Sequence, residues 1–277
     1  MEADSPHSII VTPDYQGKAL SKTSDGAFTD DFTRALVEDS QQSPSRLWMV
    51  GINGLPTQEM MIIAGSVRVQ SGSLIIEPIV CEGKGVIPTL DQCYRKAIQD
   101  YPGAALLIRK DGREHPQAAV RILEEKIPAD FDHIGVGLTY EEGMLGANDR
   151  EGDKDLRALV KAELGFTLSH AHGMQGIAMK HLPETHAIML YIKKMMQERY
   201  SIQLAWGYDL LMRLVSVLSG RRFGEVEVPA VVKREDRSVD KIKTQIENWG
   251  KVLTYGKELF LEAREAFCRQ RMMNNNS

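Results

Sequence analysis

The sequence has few cysteines, no surplus of positive charge and no long apolar run, and each shortage removes a class of protein. Its three cysteines, Cys81, Cys93 and Cys268, lie far apart in a chain of 277 residues. A disulfide framework needs dense, even cysteine usage and a zinc site needs close pairs, so this spacing suits a reducing compartment instead. Acidic residues outnumber basic ones, 38 to 34, giving a formal net charge of −4. That balance gives no general attraction for nucleic acid or anionic membrane, so basic residues act locally if they act at all. No stretch approaches the ~20 apolar residues of a membrane helix. The opening MEADSPHSII has no basic segment followed by an apolar run, as a secretory signal would. The expectation is a soluble, cytoplasmic chain. A Gly-x-Ser-x-Gly elbow and a Gly-x-x-x-x-Gly-Lys-Ser/Thr phosphate loop are also missing, so neither acyl transfer nor P-loop chemistry has support.

The composition that remains is ordinary for a globular protein, with 43% hydrophobic and 26% charged residues. It can bury a large core in one big domain or two small ones. Residues 8–12 form a short apolar run that Pro13 stops, a first strand, and a Ser-, Gly- and Asp-rich loop follows over 14–30. Residues 30–38 read as a helix, and 47–50 as a strand ending in the turn Gly51-Ile52-Asn53-Gly54. Thr57 caps the next helix. Strands follow at 74–76, 104–108 and 134–138, separated by helices at 89–100 and 116–126. The second half reads as helices at 154–168, 185–200 and 204–219, a strand at 223–232, and one or two amphipathic helices at 238–268. Its Asn-rich tail, 274–277, reads as disordered. Strands alternating with helices at this interval predict an α/β fold with a mostly parallel central sheet, helices on both faces and a helical C-terminal extension.

Open sheets of this kind bind ligands beyond the carboxyl ends of their strands. Asp14, Asn53, Lys84 and Asp111 all fall just after strands or in the loops that follow. Gly83-Lys84-Gly85 either is a surface turn with a solvated lysine or sets an ammonium beside a phosphate. Asp111-Gly112 either is a polar turn or holds a ribose hydroxyl or a metal, with Glu114 and His115 as further donors. Arg109 and Lys110, just before it, suggest fixed cations that neutralise a diphosphate without metal. His170 and His172 have the spacing of a metal pair, yet they come too late in the chain for a hydrolytic metal barrel and read as pocket lining or surface groups. Asp209 opens a helix, either as a dipole partner or as a general base for an acceptor hydroxyl. Lys233-Arg234-Glu235-Asp236-Arg237 either is a solvated charge run or places cations on phosphate.

Taken in order, these features resemble GT-A-fold glycosyltransferases, especially the large inverting family that includes dolichyl-phosphate mannose synthases. "SIIVTPDYQG" resembles the family's opening strand, with Pro13, Tyr15 and Gln16 at the nucleoside end. In "LWMVGINGLPTQEM", Asn53 and Gly54 match the second aspartate and the glycine of Asp-Asp-Gly-Ser. "GKGVIPTLDQCYRKA" is similar to the Gly-Lys-Gly segment and its helix. "ALLIRKDGREHP" falls where the metal-binding Asp-x-Asp and its His-Pro belong, with Arg109 in place of the first aspartate. "GMQGIAMKHL" resembles the acceptor-side segment, and "GYDLLMRLVSVLSGRRFGEVEVP" the late helix and strand. The resemblance covers roughly residues 8–245.

It implies a GT-A-like domain over 1–237, which binds a nucleotide-sugar donor and an acceptor of unspecified identity, and a helical extension over 238–277. By the same resemblance Pro13, Asp14 and Asn53 meet the nucleoside, and Lys84 and Arg109 the diphosphate. Asp111 would meet ribose or, with His115, a magnesium or manganese ion. Asp209 would be the base, with Gln175, Arg234 and Arg237 on the acceptor or phosphate side. A retaining relative, the phosphoglycerate glycosyltransferases, carries a metal-binding histidine where this chain has Lys233-Arg234. A non-catalytic nucleotide-sugar-binding or scaffold protein of the same fold is the alternative of another class. The apolar late helices offer a face for a second copy of the chain.

Overall fold

The computed structural model describes residues 5–66, 69–81, 85–110, 115–165, 173–204, 207–234 and 237–275. Its elements run β1 (Ser8–Tyr15), α1 (Asp31–Asp39), β2 (Arg46–Asn53), α2 (Thr57–Ser66), β3 (Val69–Ser71), β4 (Leu74–Val80), α3 (Val86–Asp100), β5 (Leu106–Arg109) and α4 (Ala118–Ala129). Then follow β6 (His133–Thr139), α5 (Ala147–Leu164), β7 (Gln175–Ala178), α6 (Leu182–Tyr200), α7 (Tyr208–Leu218), β8 (Phe223–Pro229) and α8 (Val239–Asn275). The chain forms two compact units, Met1–Asp130 with Gly173–Leu182, and Phe131–His172 with Pro183–Ser277.

In the first unit the strand order is β3-β4-β2-β1-β5-β7. β1 lies parallel to both β2 and β5, β2 is parallel to β4, and the flanking pairs β3–β4 and β5–β7 are antiparallel. β2 is buried along its whole length and β1 through Thr12. Strands covered on both faces read as unbroken apolar runs rather than alternations, which is how these two read in the sequence. β1 does not stop at Pro13. The Val11 carbonyl accepts the Lys110 N–H at 2.8 Å, so Pro13, two residues on, points its nitrogen to the side where β5 has already ended at Arg109. No ladder bond is lost there, and proline is tolerated.

Each face of this sheet has its own cover. α3 packs on one, and it approaches closely because Gly51 of β2 has no side chain: a Cβ there would overlap Thr89 Cγ2. α1 and α4 cover the other. Phe32 of α1 meets Trp48 edge-on with ring centroids 6.4 Å apart. Arg46, fully buried, donates to Glu124 of α4 (Nε–Oε1 2.7 Å) and pairs with Asp39 of α1. Ser8 donates to the same Glu124 at 2.6 Å. Arg121, half-exposed, also binds Asp39, so two guanidiniums face two carboxylates.

In the second unit β6 and β8 are parallel, from His133↔Phe223 to Thr139↔Pro229. α7 is almost wholly buried. α8 is one continuous helix whose stripe of Ile242, Trp249, Val252, Leu253, Leu259, Phe260 and Ala263 is buried, as an amphipathic helix against a core requires. Glycines set the spacing: Gly152 of α5 admits Ile242, and Gly256 of α8 admits Leu214 of α7.

Several expected boundaries shift. α3 begins at Val86, because Pro88 sits in the first turn, where no helical N–H bond is needed. α5 begins seven residues before the expected 154, through the polar and glycine-containing stretch 147–153, and ends at Leu164 because Gly165 turns left-handed at φ 75°. Residues 166–168 of that expected helix, and 205–206 of the expected helix over 204–219, lie outside the described residues. The strand expected over 223–232 ends at Pro229. β3 and β7, with three and four residues, give no legible alternation. α8 runs through Asn275, into the stretch expected to be disordered.

Candidate functional site

The carboxyl ends of β1, β2 and β5 share one edge of the first unit's sheet, and antiparallel β7 brings its first residue, Gln175, beside Arg109 at that edge. Four residues expected at a donor site collect here, Pro13 and Asp14 (β1), Asn53 (β2) and Arg109 (β5), together with Gln175 (β7), which was expected on the acceptor or phosphate side. Apart from Pro13 they are nearly inaccessible, at 6%, 3%, 3% and 1% exposure in that order. Side chains alternate along a strand and in-register partners share a face, so the group divides. Pro13, Asn53, Arg109 and Gln175 lie on the face covered by α3. Asp14 and Lys110 lie on the face of α1, where Lys110 Nζ sits 4.3 Å from the Phe32 ring centroid. Arg109 and Lys110, adjacent in sequence, therefore do not make one two-pronged cation site.

Asn53 donates from Nδ2 to Thr89 Oγ1 at 3.0 Å, and that hydroxyl donates to the Gly85 carbonyl at 2.9 Å. The first turn of α3 is thus tied to the end of β2. Asp14 Oδ2 accepts the Ala19 N–H at 3.0 Å and so holds the turn after β1. Burial pushes the Asp14 carboxyl up to about 6; the Ala19 and Lys18 N–H groups and the Lys110 charge pull it back, and Asp30 pushes it further. The chain leaves β1 through two successive left-handed residues, Gln16 (φ 64°) and Gly17 (φ 70°), and the Gln16 N–H donates to the Asn53 carbonyl at 2.8 Å. A non-glycine residue in that region is uncommon and costs some strain. Beside it Gly54 (φ 82°) lies against the Tyr15 ring so closely that no Cβ would fit. Tyr15 is 59% exposed.

Lys84 and Asp111 lie outside the described residues, as do Glu114, His170 and His172. His115 is buried. Among the described residues no group of three or more His, Cys, Asp or Glu side chains is placed to hold a metal ion.

The remaining expected residues belong to the second unit. Asp209 is in the first turn of α7, behind a left-handed Gly207 (φ 84°) that packs against Val252 and Trp249 of α8. Arg234 and Arg237 converge on Asp149, a fully buried residue in the first turn of α5. Arg237 donates to it from the backbone at 2.8 Å and from Nε at 2.5 Å, and Arg234 Nε is 3.5 Å from Oδ1. Burial alone would raise the Asp149 carboxyl, but the two Arg237 hydrogen bonds and the charges of Arg234 and Arg237 hold it below the usual range. Sequence reading passed over Asp149. The signal was an acid in the first turn of a helix, where it favours the dipole, but the start of α5 was placed too late to show it.

No family model matches the chain, and no curated protein resembles it in sequence. Solved structures align with it at low sequence identity. A mycobacterial protein aligns with a TM-score of 0.53 at 11% identity, over 91% of this chain and 75% of its own. Glucosyl-3-phosphoglycerate synthase from Mycobacterium tuberculosis, in complex with Mg2+ and uridine diphosphate, aligns at 0.49 and 12%, over 91% and 80%. Mannosyl-3-phosphoglycerate synthase from Rubrobacter xylanophilus aligns at 0.49 and 12%, over 94% and 76%. At 11% identity the likeness to the first of these is one of fold alone. The fold expected from the sequence, a mostly parallel α/β sheet followed by a helical C-terminal extension, is the one observed. No helix among the described residues is long and apolar enough to cross a membrane.

Proposed function

We propose that the protein is a glycosyltransferase that moves a sugar from a nucleotide-diphosphate donor to a small or lipid-linked acceptor. The observation that carries this reading is the collection of buried polar groups, Asp14, Asn53, Arg109 and Gln175, at the carboxyl edge of the first unit's parallel strands. That edge is where open α/β sheets bind ligands. The serial resemblance of the sequence to GT-A glycosyltransferases points the same way.

In this reading Pro13, Asp14 and Asn53 meet the nucleoside, Arg109 and Lys84 the diphosphate, and Asp111 the ribose. Stabilising the charge that develops on the departing diphosphate dominates the barrier, as preorganised electrostatic groups usually do. Asp111, the residue expected to meet ribose or a divalent ion, lies outside the described residues; those described supply no three-ligand cluster, and β5 ends in a buried guanidinium where the resembled family has a carboxylate. In this reading Arg109 and Lys84 meet the diphosphate charge, with or without such an ion. Asp209 would take the acceptor's proton, and Gln175, Arg234 and Arg237 would serve the acceptor or phosphate side.

The test is turnover of a panel of nucleotide sugars labelled in the sugar, with magnesium, with manganese and with chelator. Release of sugar from one nucleotide class, undiminished by chelator, is the expected result. A second reading, a nucleotide-sugar-binding scaffold, is favoured by the same guanidinium at the metal position, and it predicts binding without turnover. If no donor is either bound or turned over, both readings fail.

A further inference from the structure

The segment that leaves β1 at the donor edge forms a strap closed over a carboxylate. It turns off the strand through the left-handed Gln16 and Gly17 and runs to Asp30, the N-cap of α1. Its outer part is a small loop, in which the Thr23 N–H donates to the Ala27 carbonyl at 2.8 Å and the Thr29 N–H to the Ser21 carbonyl at 3.0 Å. Residues 21–27 are exposed, and Leu20 and Phe28 are the buried apolar anchors. Ala19 is the polar anchor: its N–H donates to Asp14 Oδ2 at 3.0 Å, and its carbonyl accepts from Thr33 Oγ1 of α1 at 3.1 Å. A segment with so few buried contacts belongs to the low-stability end of a structure, where local opening occurs.

The group beneath it is poorly placed to carry charge. Asp14 is nearly inaccessible, and a carboxylate taken out of water is costly unless it is fully compensated. The charged groups facing it are Asp30, from the cap of α1, and Lys110, from the end of β5; the strap itself offers the Ala19 and Lys18 N–H groups. Burial outweighs these partners and pushes the carboxyl up to about 6. With the strap open, water solvates the carboxylate and its proton affinity returns toward the ordinary 3.8. The closed strap therefore holds this proton more tightly than the open one. Closure is favoured most below pH 3.8 and loses ground as pH rises through about 6.

We propose that the strap over residues 16–30 is a pH-responsive gate on the donor edge, closed over Asp14 while that carboxyl holds its proton and swung open, about Gln16 and Gly17, when its charge is met by water or by the hydroxyl and N–H donors of a nucleoside. At its present burial Asp14 meets no ligand, so a gate is what lets this residue serve a site at all. The nucleoside as occupant rests on the donor-site reading; the opening itself does not.

The test is hydrogen–deuterium exchange of the native full-length protein without nucleotide, between pH 4 and pH 8, read by mass spectrometry and corrected for the intrinsic pH dependence of amide exchange. Protection of peptides within 16–30 should fall by about 50-fold across that range, the change expected when a group of pKa about 6 returns to 3.8 on opening. At each pH these peptides should exchange well before those of β2, as a local opening requires. In Asp14→Asn, which never ionises, strap protection should be flat with pH. Strap protection that does not change with pH, exchange in step with β2, or a pH dependence that survives in Asp14→Asn would each overturn the proposal. The comparison of strap with β2 is made in the unmutated protein, so a variant that fails to fold does not remove the test. A gate that responds in a protein binding no nucleotide would leave the gate standing and remove the donor-site reading.

Discussion

At Asp14 burial and hydrogen bonding act in opposite directions on one carboxyl group, and burial prevails, raising its pKa from the ordinary 3.8 to about 6. The folded chain therefore holds this proton more tightly than the unfolded one. The stability it lends is complete below pH 3.8 and is lost as pH rises through about 6. At neutral pH the charged form costs no more than about 3 kcal/mol. Asp14→Asn keeps an oxygen for the Ala19 N–H and never ionises, so its stability relative to the unmutated protein should improve by about 2–3 kcal/mol between pH 4 and pH 8 in urea unfolding. An unchanged difference across that range would contradict the burial account. Asp149 has the opposite sign. Its pKa is held down, so its contribution is present at neutral pH and lost as pH falls through the folded-state value. Asp149→Ala removes the buried acceptor that Arg234 and Arg237 share and should cost on the order of 3 kcal/mol at pH 7, with a smaller loss under acid. A substitution tolerated within ~0.5 kcal/mol at neutral pH would show that the cluster holds nothing.

Individual elements rest on glycines whose absent side chains do different work. Gly51 lies where Thr89 and Cys93 of α3 fill the space, so Gly51→Ala must push the helix off the sheet, at about 1–3 kcal/mol or more. Gly250 of α8 has nothing within 4 Å of its would-be Cβ, so Gly250→Ala should stabilise the helix by about 0.5–1 kcal/mol. Thermal unfolding of the two variants should move in opposite directions, and a shared direction would refute the packing description of one of them. The same contrast explains which elements the sequence revealed. The central strands were legible because burial on both faces leaves an apolar run in plain view. α5 was placed seven residues late because its opening turns are polar and satisfied by Arg237, 88 residues away. β7, four residues long, exists through pairing with β5, which local pattern does not encode.

For the whole molecule, strand ends are legible in the sequence and the faces of the sheet are not. Of Asp14, Asn53, Lys84 and Asp111, the four expected just after strands, Asp14 and Asn53 lie at the ends of β1 and β2 on one edge, and Lys84 and Asp111 lie outside the described residues. That Arg109 and Lys110 point to opposite faces follows only from the register with β1, and the charge shared among Arg234, Arg237 and Asp149 only from tertiary contact. The central claim is that a nucleoside diphosphate binds at the first unit's edge with its charge met by Arg109. Its most direct measurement is the dissociation constant of uridine and guanosine diphosphates, by calorimetry, for the unmutated protein and for Arg109→Met, with each protein's Tm recorded. The account predicts saturable binding of one of these nucleotides and at least a tenfold weakening in Arg109→Met, equivalent to about 1.4 kcal/mol, in a variant that remains folded. Binding of neither nucleotide, or equal affinity in a folded Arg109→Met, would contradict it.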